Sequence, residues 1–263
     1  MSQQAHSRAN RAAWSHRLQD ATEQLGGSPQ DEAAQLQADP RHTLRDYIEH
    51  LGDVRGQRVA NLLGSSGKKA VALSLLGAQV TVVDFAEDNK TRALACARAA
   101  GVELDYILSD VLEWPTDPFE DHFDIVLMEY GILHYFVDLQ PLVAIIAKIL
   151  KPQGKLVLHE YHPLNRKCLP RKDGDNLVLD GDYFCAEIIE KPAPRQGMAF
   201  SQGELAAFPT CRIRYWQLGE VVTAVGSGGL MIESLTERPH AEFLRVPGMF
   251  TLVARKIALA SGP

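Results

Sequence analysis

Two short stretches carry residue types that suit binding of a ribose-containing ligand. A Gly-rich turn, Gly64–Gly67, follows one apolar run, and Asp84 ends a second apolar run further along the chain. A Gly-rich turn lets a ligand approach the backbone, and a carboxylate about twenty residues later accepts hydrogen bonds from two ribose hydroxyls. The spacing therefore predicts a ligand crevice at this point of the chain.

These residues must be held by a βαβ unit. Val59–Leu63 and Ala78–Val83 are short apolar runs of the kind buried on both faces of a parallel sheet. The helix between them is predicted to be capped by Ser65 or Ser66 and to end at Gly77. Five further runs predict the other strands: Leu104–Leu108, Phe123–Met128, Lys155–His159, Leu230–Leu235 and Met249–Ala254.

Two segments depart from this alternation of strands and helices. Residues 1–40 predict an N-terminal helical cap, whose Trp14 either packs the helix or covers the crevice. Residues 163–216 are polar, with turn signals and short alternating runs, and predict an inserted lid. The main domain is then expected at 41–162 and 217–263.

Composition narrows the class of protein. A formal net charge of −6 disfavours a nucleic-acid partner. The 4 cysteines form no C-x-x-C pair, which suits reduced thiols better than disulfides or zinc. No run of about 18 apolar residues occurs. We expect a cytoplasmic protein with no membrane partner, as a monomer or homodimer.

The order of the motifs resembles the class I S-adenosylmethionine-dependent methyltransferases of the bacterial small-molecule type, from Leu44 to the C-terminus. Their recurring motifs would be Asn61–Gly67, Asp84, Ser109-Asp110, Phe123-Asp124-Ile125-Val126 and Leu150-Lys151-Pro152-Gln153-Gly154. The resemblance implies an α/β fold: a Rossmann-like seven-stranded sheet with helices on both faces and strand seven antiparallel. It also implies S-adenosyl-L-methionine as cofactor and a small-molecule substrate, methylated on N or O by in-line displacement.

The resemblance also assigns the cofactor site. The first motif, with Asn61 and Gly64, Ser65, Ser66 and Gly67, would lie under the methionine part. The other cofactor-binding residues would be Asp84 at the ribose, Phe85 beside the adenine, Ser109, Asp110 and Val111 at the adenine edge, and Glu129 and Tyr130 facing the sulfonium. This first motif departs from the family, which has an acid at 61 and glycines at 63 and 65.

Residues beyond the strand ends are the candidates for the methyl acceptor. His134 and His159 are the candidate general bases, because each follows a predicted strand end and imidazole takes protons near neutral pH. The alternative is that they only hydrogen-bond the backbone. The predicted substrate-binding residues are Tyr135, Glu160, Tyr161, His162 and Tyr183. The aromatic side chains would suit a flat or cationic acceptor, and Glu160 would supply a counter-charge.

Other interpretations of the same residues are weaker. The Gly64–Lys69 stretch lacks the spacing of a P-loop and the pattern of a nicotinamide-binding turn. His159 and His162 are three apart rather than four, which disfavours a metalloprotease zinc site, so no metal is expected. Two alternatives stay open: a non-catalytic S-adenosylmethionine-binding or regulatory protein, and an RNA or protein methyltransferase using the lid cations Arg166, Lys167, Arg171 and Lys172.

Overall fold

The fold is built on one seven-stranded sheet, seen in a computed structural model that describes residues 2–25, 27–174 and 176–257. The strands are β1 (Arg58–Leu62), β2 (Gln79–Asp84), β3 (Asp105–Leu108), β4 (Phe123–Glu129), β5 (Leu150–Tyr161), β6 (Arg171–Asp173), β7 (Asn176–Val178), β8 (Ile188–Lys191), β9 (Cys211–Arg214), β10 (Leu230–Pro239) and β11 (Pro247–Lys256). The sheet order is β10-β11-β5-β4-β1-β2-β3. β11 runs antiparallel to both of its neighbours, which confirms the predicted topology.

Helices cover both faces of the sheet. They are α1 (Gln3–Ser15), α2 (Leu18–Gln24), α3 (Pro29–Ala38), α4 (Pro40–Leu44), α5 (Ile48–Leu51), α6 (Lys68–Leu75), α7 (Glu87–Ala100), α8 (Gln140–Ile149), α9 (Pro163–Lys167), α10 (Pro194–Ala199), α11 (Gln202–Leu205) and α12 (Leu218–Ser227). Within the described residues, none is long and apolar enough to cross a membrane.

Alternate residues of the buried strands face two separate hydrophobic cores. Leu62 and Val126 point to the face covered by α8 and α12, whereas Val82 and Leu127 point to the face covered by α3 to α7. Such two-sided burial explains why these strands are apolar at every position rather than alternating. The strand ends are therefore held in a rigid core.

Two segments lie outside the sheet and contact each other. Residues 163–216 contain α9 to α11 and two small antiparallel pairs, β6-β7 and β8-β9. Gln196 of α10 donates hydrogen bonds to the carbonyls of Trp14 at 3.0 Å and His16 at 2.8 Å, at the end of α1. The Asn10 side chain accepts a 2.7 Å bond from the backbone N–H of Arg212 in β9.

The N-terminal region differs from the sequence expectation. The sequence around Asn10–Leu25 is typical of one helix, but the structure has two, α1 and α2, because Arg17 between them adopts a left-handed backbone with φ of +48°. Helix α3, capped by Ser28, was not expected. Its Ala33 and Leu36 are buried in the core beside α6 and α7, so this part of residues 1–40 is a layer of the main fold. Residues 258–263 of the predicted main domain lie outside the described residues.

Candidate functional site

A cavity of about 410 Å³ opens at the carboxyl ends of β1 and β4. This is the place where the chain order of the sheet reverses, since β2 and β4 flank β1 on opposite sides. Ligands of open α/β sheets bind at such switch points. Its wall includes Trp14 of α1 and Arg166, Pro194 and Arg195 of the lid segment, so both α1 and the lid border the crevice.

The Gly-rich turn forms the floor of the cavity and carries backbone strain. Leu63 and Ser65 have φ of +52° and +50°, a left-handed conformation that favours glycine. A side chain at Gly64 would meet the Asn61 side-chain oxygen at 2.6 Å. Gly67, with φ of +71°, begins α6 without a side-chain cap and approaches Ala93 of α7. The predicted serine cap of α6 is therefore wrong.

We expect Ser65→Gly to stabilise the protein by about 1 kcal/mol, because the left-handed backbone costs L-residues roughly that amount. The Ser65 N–H donates to Asp84 and its carbonyl accepts from Tyr106, and glycine keeps both backbone contacts. Urea unfolding measures the change. Ser66→Gly is the matched control, since Ser66 has no positive φ and glycine there should destabilise. Equal effects of both variants would contradict the strain argument.

Asp84 ends β2 and faces the cavity. One carboxylate oxygen accepts from the Ser65 N–H at 3.1 Å, and the other accepts from the Ala86 N–H at 2.9 Å and the Asn89 side chain at 3.3 Å. Burial raises the pKa of Asp84, and these donors oppose the shift. The carboxylate is thus fixed in place and still lines the cavity, as binding of a ribose would require.

The predicted adenine residues line a narrow cleft beside the main cavity. Phe85, Ser109, Asp110 and Val111 surround a space of about 20 Å³, together with Ser7 and Asn10 of α1. Asp110 accepts a 2.9 Å bond from the Leu112 N–H, which orients its carboxylate. The structure therefore brings these residues together next to Asp84, with α1 as the outer wall.

A buried network of polar groups forms the back of the cavity. Glu129 accepts hydrogen bonds from the Tyr47 hydroxyl and, at 3.0 Å, from the Lys69 ammonium. The Lys69 ammonium lies 4.4 Å from the centre of the Tyr130 ring, and the Tyr130 hydroxyl donates to Asp46 at 2.6 Å. Glu129 and Tyr130 thus line the cavity as predicted, but Glu129 already has a cationic partner.

Asn61 lies beneath the turn rather than in the cavity. It is fully buried, and its amide donates to the Leu127 carbonyl at 3.4 Å. Its side-chain oxygen has no hydrogen-bond partner among the described residues. Neither Asn61 nor Gly67 lines the cavity, so both shape the turn instead of contacting a ligand there.

His134, Tyr135 and Tyr161 also line the cavity, and Tyr135 lines the adenine cleft together with Asp84. His134 and Tyr135 belong to a short 3-10 turn after β4, Leu133–Tyr135. Burial, assisted by the charges of Arg166 and Lys191, lowers the pKa of His134 to about 3. Its imidazole is therefore neutral at physiological pH and able to accept a proton or a hydrogen bond.

Three predicted residues do not reach the cavity. His159 is 1% exposed, and its Nδ1 lies 2.8 Å from the Thr251 hydroxyl; burial lowers its pKa to about 4. His162 caps α9 by accepting from the Leu164 N–H at 3.1 Å. The Tyr183 hydroxyl accepts from the Leu218 N–H at 3.1 Å, at the start of α12. These contacts are within the fold, so the three side chains have structural roles and do not line the crevice.

Glu160 is also placed differently from the predicted counter-charge. Its carboxylate accepts from the backbone N–H groups of Gly131 at 2.7 Å, Ile132 at 2.9 Å, Leu133 at 3.2 Å and Tyr161 at 2.6 Å. Burial raises its pKa, and the four N–H donors act in the opposite direction. Glu160 therefore fixes the loop after β4 that carries His134.

Several cavity residues were missed by the sequence interpretation. They are Glu32, Leu63, Lys68, Lys69, Asn89, Gly131, Ile132, Pro194 and Arg195, with Arg166 recognised only as a lid cation. Lys68 and Lys69 were noted only when a P-loop was considered, although their position just after the turn places them in the first turn of α6. Arg195 comes from the distant lid, and its guanidinium donates to the Ser66 hydroxyl at 3.4 Å.

The chain is similar to known methyltransferases. Residues 63–158 match the family model of a methyltransferase domain. The ubiquinone biosynthesis O-methyltransferase of Xanthomonas oryzae pv. oryzae is 28% identical over 173 residues, covering 64% of this chain and 69% of that protein. The ubiquinone/menaquinone biosynthesis C-methyltransferase UbiE of Shewanella halifaxensis is 27% identical over 203 residues, covering 70% and 78%. An S-adenosylmethionine-dependent methyltransferase structure from Mesorhizobium loti has a TM-score of 0.62 at 23% identity, covering 80% of this chain and 96% of that one.

The sheet order is that of the class I methyltransferase fold, and the match to a methyltransferase domain runs from the Gly-rich turn to β5. Solved structures that share this fold include proteins named S-adenosylmethionine-dependent methyltransferases, so S-adenosylmethionine is the cofactor to compare with the cavity.

The donor set of the cavity fits the chemistry of this cofactor. Asp84 offers acceptors to a ribose diol, Glu129 offers a carboxylate to an ammonium, and Arg195 offers a guanidinium to a carboxylate. The cleft lined by the predicted adenine residues is the narrow part of the site, with a space of about 20 Å³, and α1 forms one of its walls.

Proposed function

We propose that this enzyme transfers a methyl group to oxygen or nitrogen of a small molecule. The observation that carries the proposal is the crevice bordered by α1 and the lid, whose volume of about 410 Å³ lies in the usual range for small-molecule sites. Residues from α1 and the lid form part of its wall, which favours a small acceptor over a large partner. The similarity to methyltransferases named for ubiquinone biosynthesis supports a small acceptor.

The chain's contribution is positioning and exclusion of water. When bound, the cofactor supplies a methyl group on a sulfonium, which is reactive enough to be attacked directly. Asp84, Glu129 and Arg195 would hold the cofactor, and Tyr135 and Tyr161 would align a flat acceptor with it. We propose that residues 163–216 and α1 act together as the lid, because Gln196 and Asn10 link them.

His134 is the proposed general base, and His159 is not, since only His134 lines the cavity. With a pKa near 3, the His134 imidazole is a weak base that stays unprotonated above about pH 4. We therefore expect His134→Gln to lower kcat roughly tenfold, less than the hundredfold or more of a well-tuned base. His134 should add no inflection to the pH–rate profile between pH 6 and 9.

Turnover from pH 6 to 9 measures the His134 effect, with S-adenosylhomocysteine affinity measured in parallel. His159→Gln is the matched control, and its turnover should stay close to wild type once folding is verified. Unchanged kcat in His134→Gln would leave proximity alone as the mechanism.

The proposed function is tested by release of S-adenosylhomocysteine over a library of small metabolites, with RNA and unfolded protein as comparison substrates. Turnover with a small acceptor supports the proposal. Turnover only with RNA or protein would replace it by a macromolecular methyltransferase. Cofactor binding with no turnover on any substrate would favour the non-catalytic alternative, whose evidence is the altered first motif.

The predicted basic cluster gives little support to a macromolecular substrate. Lys167 is buried and donates to the carbonyls of Cys185 and, at 3.0 Å, Tyr215. Arg166 lines the cavity, whereas Arg171 lies on the exposed β6. The four lid cations therefore do not form one surface patch for a polyanion.

A further inference from the structure

Arg166 lies where the main cavity meets a smaller one. Both cavities are lined by Arg166, His134 and Tyr161, and the smaller one has a volume of about 30 Å³. The Arg166 guanidinium carbon is 3.7 Å from the centre of the Tyr161 ring. Stacking on an aromatic ring fixes the plane of the guanidinium, so its donors are held in a set direction.

Within the part of the chain that the structure describes, Arg166 has no charged partner, unlike the two glutamates of the cavity. Glu32 pairs with Arg92 at 3.0 Å, and Glu129 pairs with Lys69 at 3.0 Å. Among the described residues, Arg166 forms no ion pair or hydrogen bond, and its Nε is buried without a partner. A buried donor left without an acceptor destabilises a fold, so such a group is a candidate for meeting a ligand.

The position of Arg166 separates it from the cofactor side of the cavity. Arg195, the other guanidinium, contacts Ser66 of the Gly-rich turn. Arg166 instead lies with His134 and Tyr161, which also line the smaller cavity that neither Asp84 nor the Gly-rich turn borders. The cavity thus has one guanidinium beside the turn and another on the Tyr161 ring, where the smaller cavity begins.

We propose that Arg166 binds a carboxylate of the methyl acceptor, so that the acceptor is a planar small molecule with one negative charge. This proposal rests on the proposed small-molecule methyltransferase function. A guanidinium binds a carboxylate through two parallel hydrogen bonds, which fixes the orientation of a flat acceptor. The rest of the acceptor then lies beside His134, Tyr135 and Tyr161.

The same contact would assist His134. The charge of Arg166 is one cause, after burial, of the lowered pKa of His134. A carboxylate on Arg166 offsets that charge and raises the pKa of the imidazole, which makes it a stronger base. Binding of the acceptor would therefore make His134 a stronger base.

The test uses the full chain saturated with S-adenosylhomocysteine in a chloride-free buffer, titrated with matched carboxylates and carboxamides. The pairs are benzoate and benzamide, 4-hydroxybenzoate and 4-hydroxybenzamide, and indole-3-carboxylate and indole-3-carboxamide. We expect carboxylates to bind about tenfold more tightly than their amides, since a charge-assisted pair contributes that much or more. Arg166→Gln should remove this preference, and Arg166→Lys should keep part of it.

Two controls keep the outcomes separate. Arg171→Gln changes an exposed lid arginine that pairs with Asp180 at 3.6 Å, and it should keep the wild-type preference. Affinity for S-adenosylhomocysteine should stay within about twofold in Arg166→Gln, because the cofactor contacts lie elsewhere.

No preference for carboxylates in wild type, or the same preference in Arg166→Gln, overturns the inference. A large loss of S-adenosylhomocysteine affinity in Arg166→Gln would assign Arg166 to the cofactor and also overturn it. The proposed small-molecule function fails on a different observation. Turnover with RNA or protein alone would overturn that function, whatever ligand Arg166 binds.

Discussion

Asp84→Ala should lower the affinity for S-adenosylhomocysteine by about 100-fold or more, since two charge-assisted hydrogen bonds to a ribose are lost at about 1.5–3 kcal/mol each. The carboxylate lines the cavity and is held by the Ser65 and Ala86 N–H groups. Because these contacts fix its direction, little ordering is needed when a ligand binds. Isothermal titration calorimetry measures the change, with the unfolding temperature checked in parallel.

Asp124→Ala is the matched control for this effect. Asp124 is near the opposite end of β4, where it pairs with Lys151 at 2.6 Å and accepts from the Arg58 N–H at 2.8 Å. Its loss should affect folding stability but leave cofactor affinity within about twofold, because distant sites act independently. Unchanged affinity in a folded Asp84→Ala protein would remove Asp84 from the cofactor site.

The sheet could be predicted from the sequence because its signals are local. Two apolar runs are typical of strands buried on both faces: the β-branched run before Asp84 and the FDIVLM run of β4. Asp84 then follows β2 directly, so its place at the crevice depends on the strand end alone. The same applies to Glu129 and Tyr130 after β4.

Side-chain direction and distant contacts could not be predicted in the same way. His159, Glu160 and Tyr161 are consecutive in β5, yet only Tyr161 lines the main cavity. Glu160 points to the face opposite that of its two neighbours, and His159, on the same face as Tyr161, contacts Thr251 and packs against the Tyr130 ring. The partners that occupy His159 and Glu160 come from β11 and from the loop after β4. No local pattern marks such contacts.

The covering of the site was the least predictable part. Irregular turns indicated that residues 163–216 leave the sheet, but not that Arg166 and Arg195 return to the cavity. Trp14 reaches the cavity because α1 is linked to Gln196 of α10. These long-range contacts depend on tertiary packing, which overrides local propensity.

Glu160→Gln is expected to destabilise the fold by about 2–4 kcal/mol, because a buried group with unpaired donors costs about 1–3 kcal/mol. The Glu160 carboxylate is 5% exposed and accepts four backbone N–H groups. An amide has one acceptor oxygen, so its NH₂ group would face two N–H donors. The loop that carries His134 would lose its support, and turnover should fall together with stability.

Urea unfolding at pH 7 measures this loss of stability, and Glu233→Gln is the matched control. Glu233 makes an exposed ion pair with Arg255 at 2.6 Å, so the same chemical change should cost less than about 1 kcal/mol there. Lowering the pH should not restore the urea midpoint of Glu160→Gln, because a glutamine cannot recover the lost acceptor oxygen. If both variants lose the same small amount, Glu160 does not organise the loop, and its role as a counter-charge for the acceptor would have to be reconsidered.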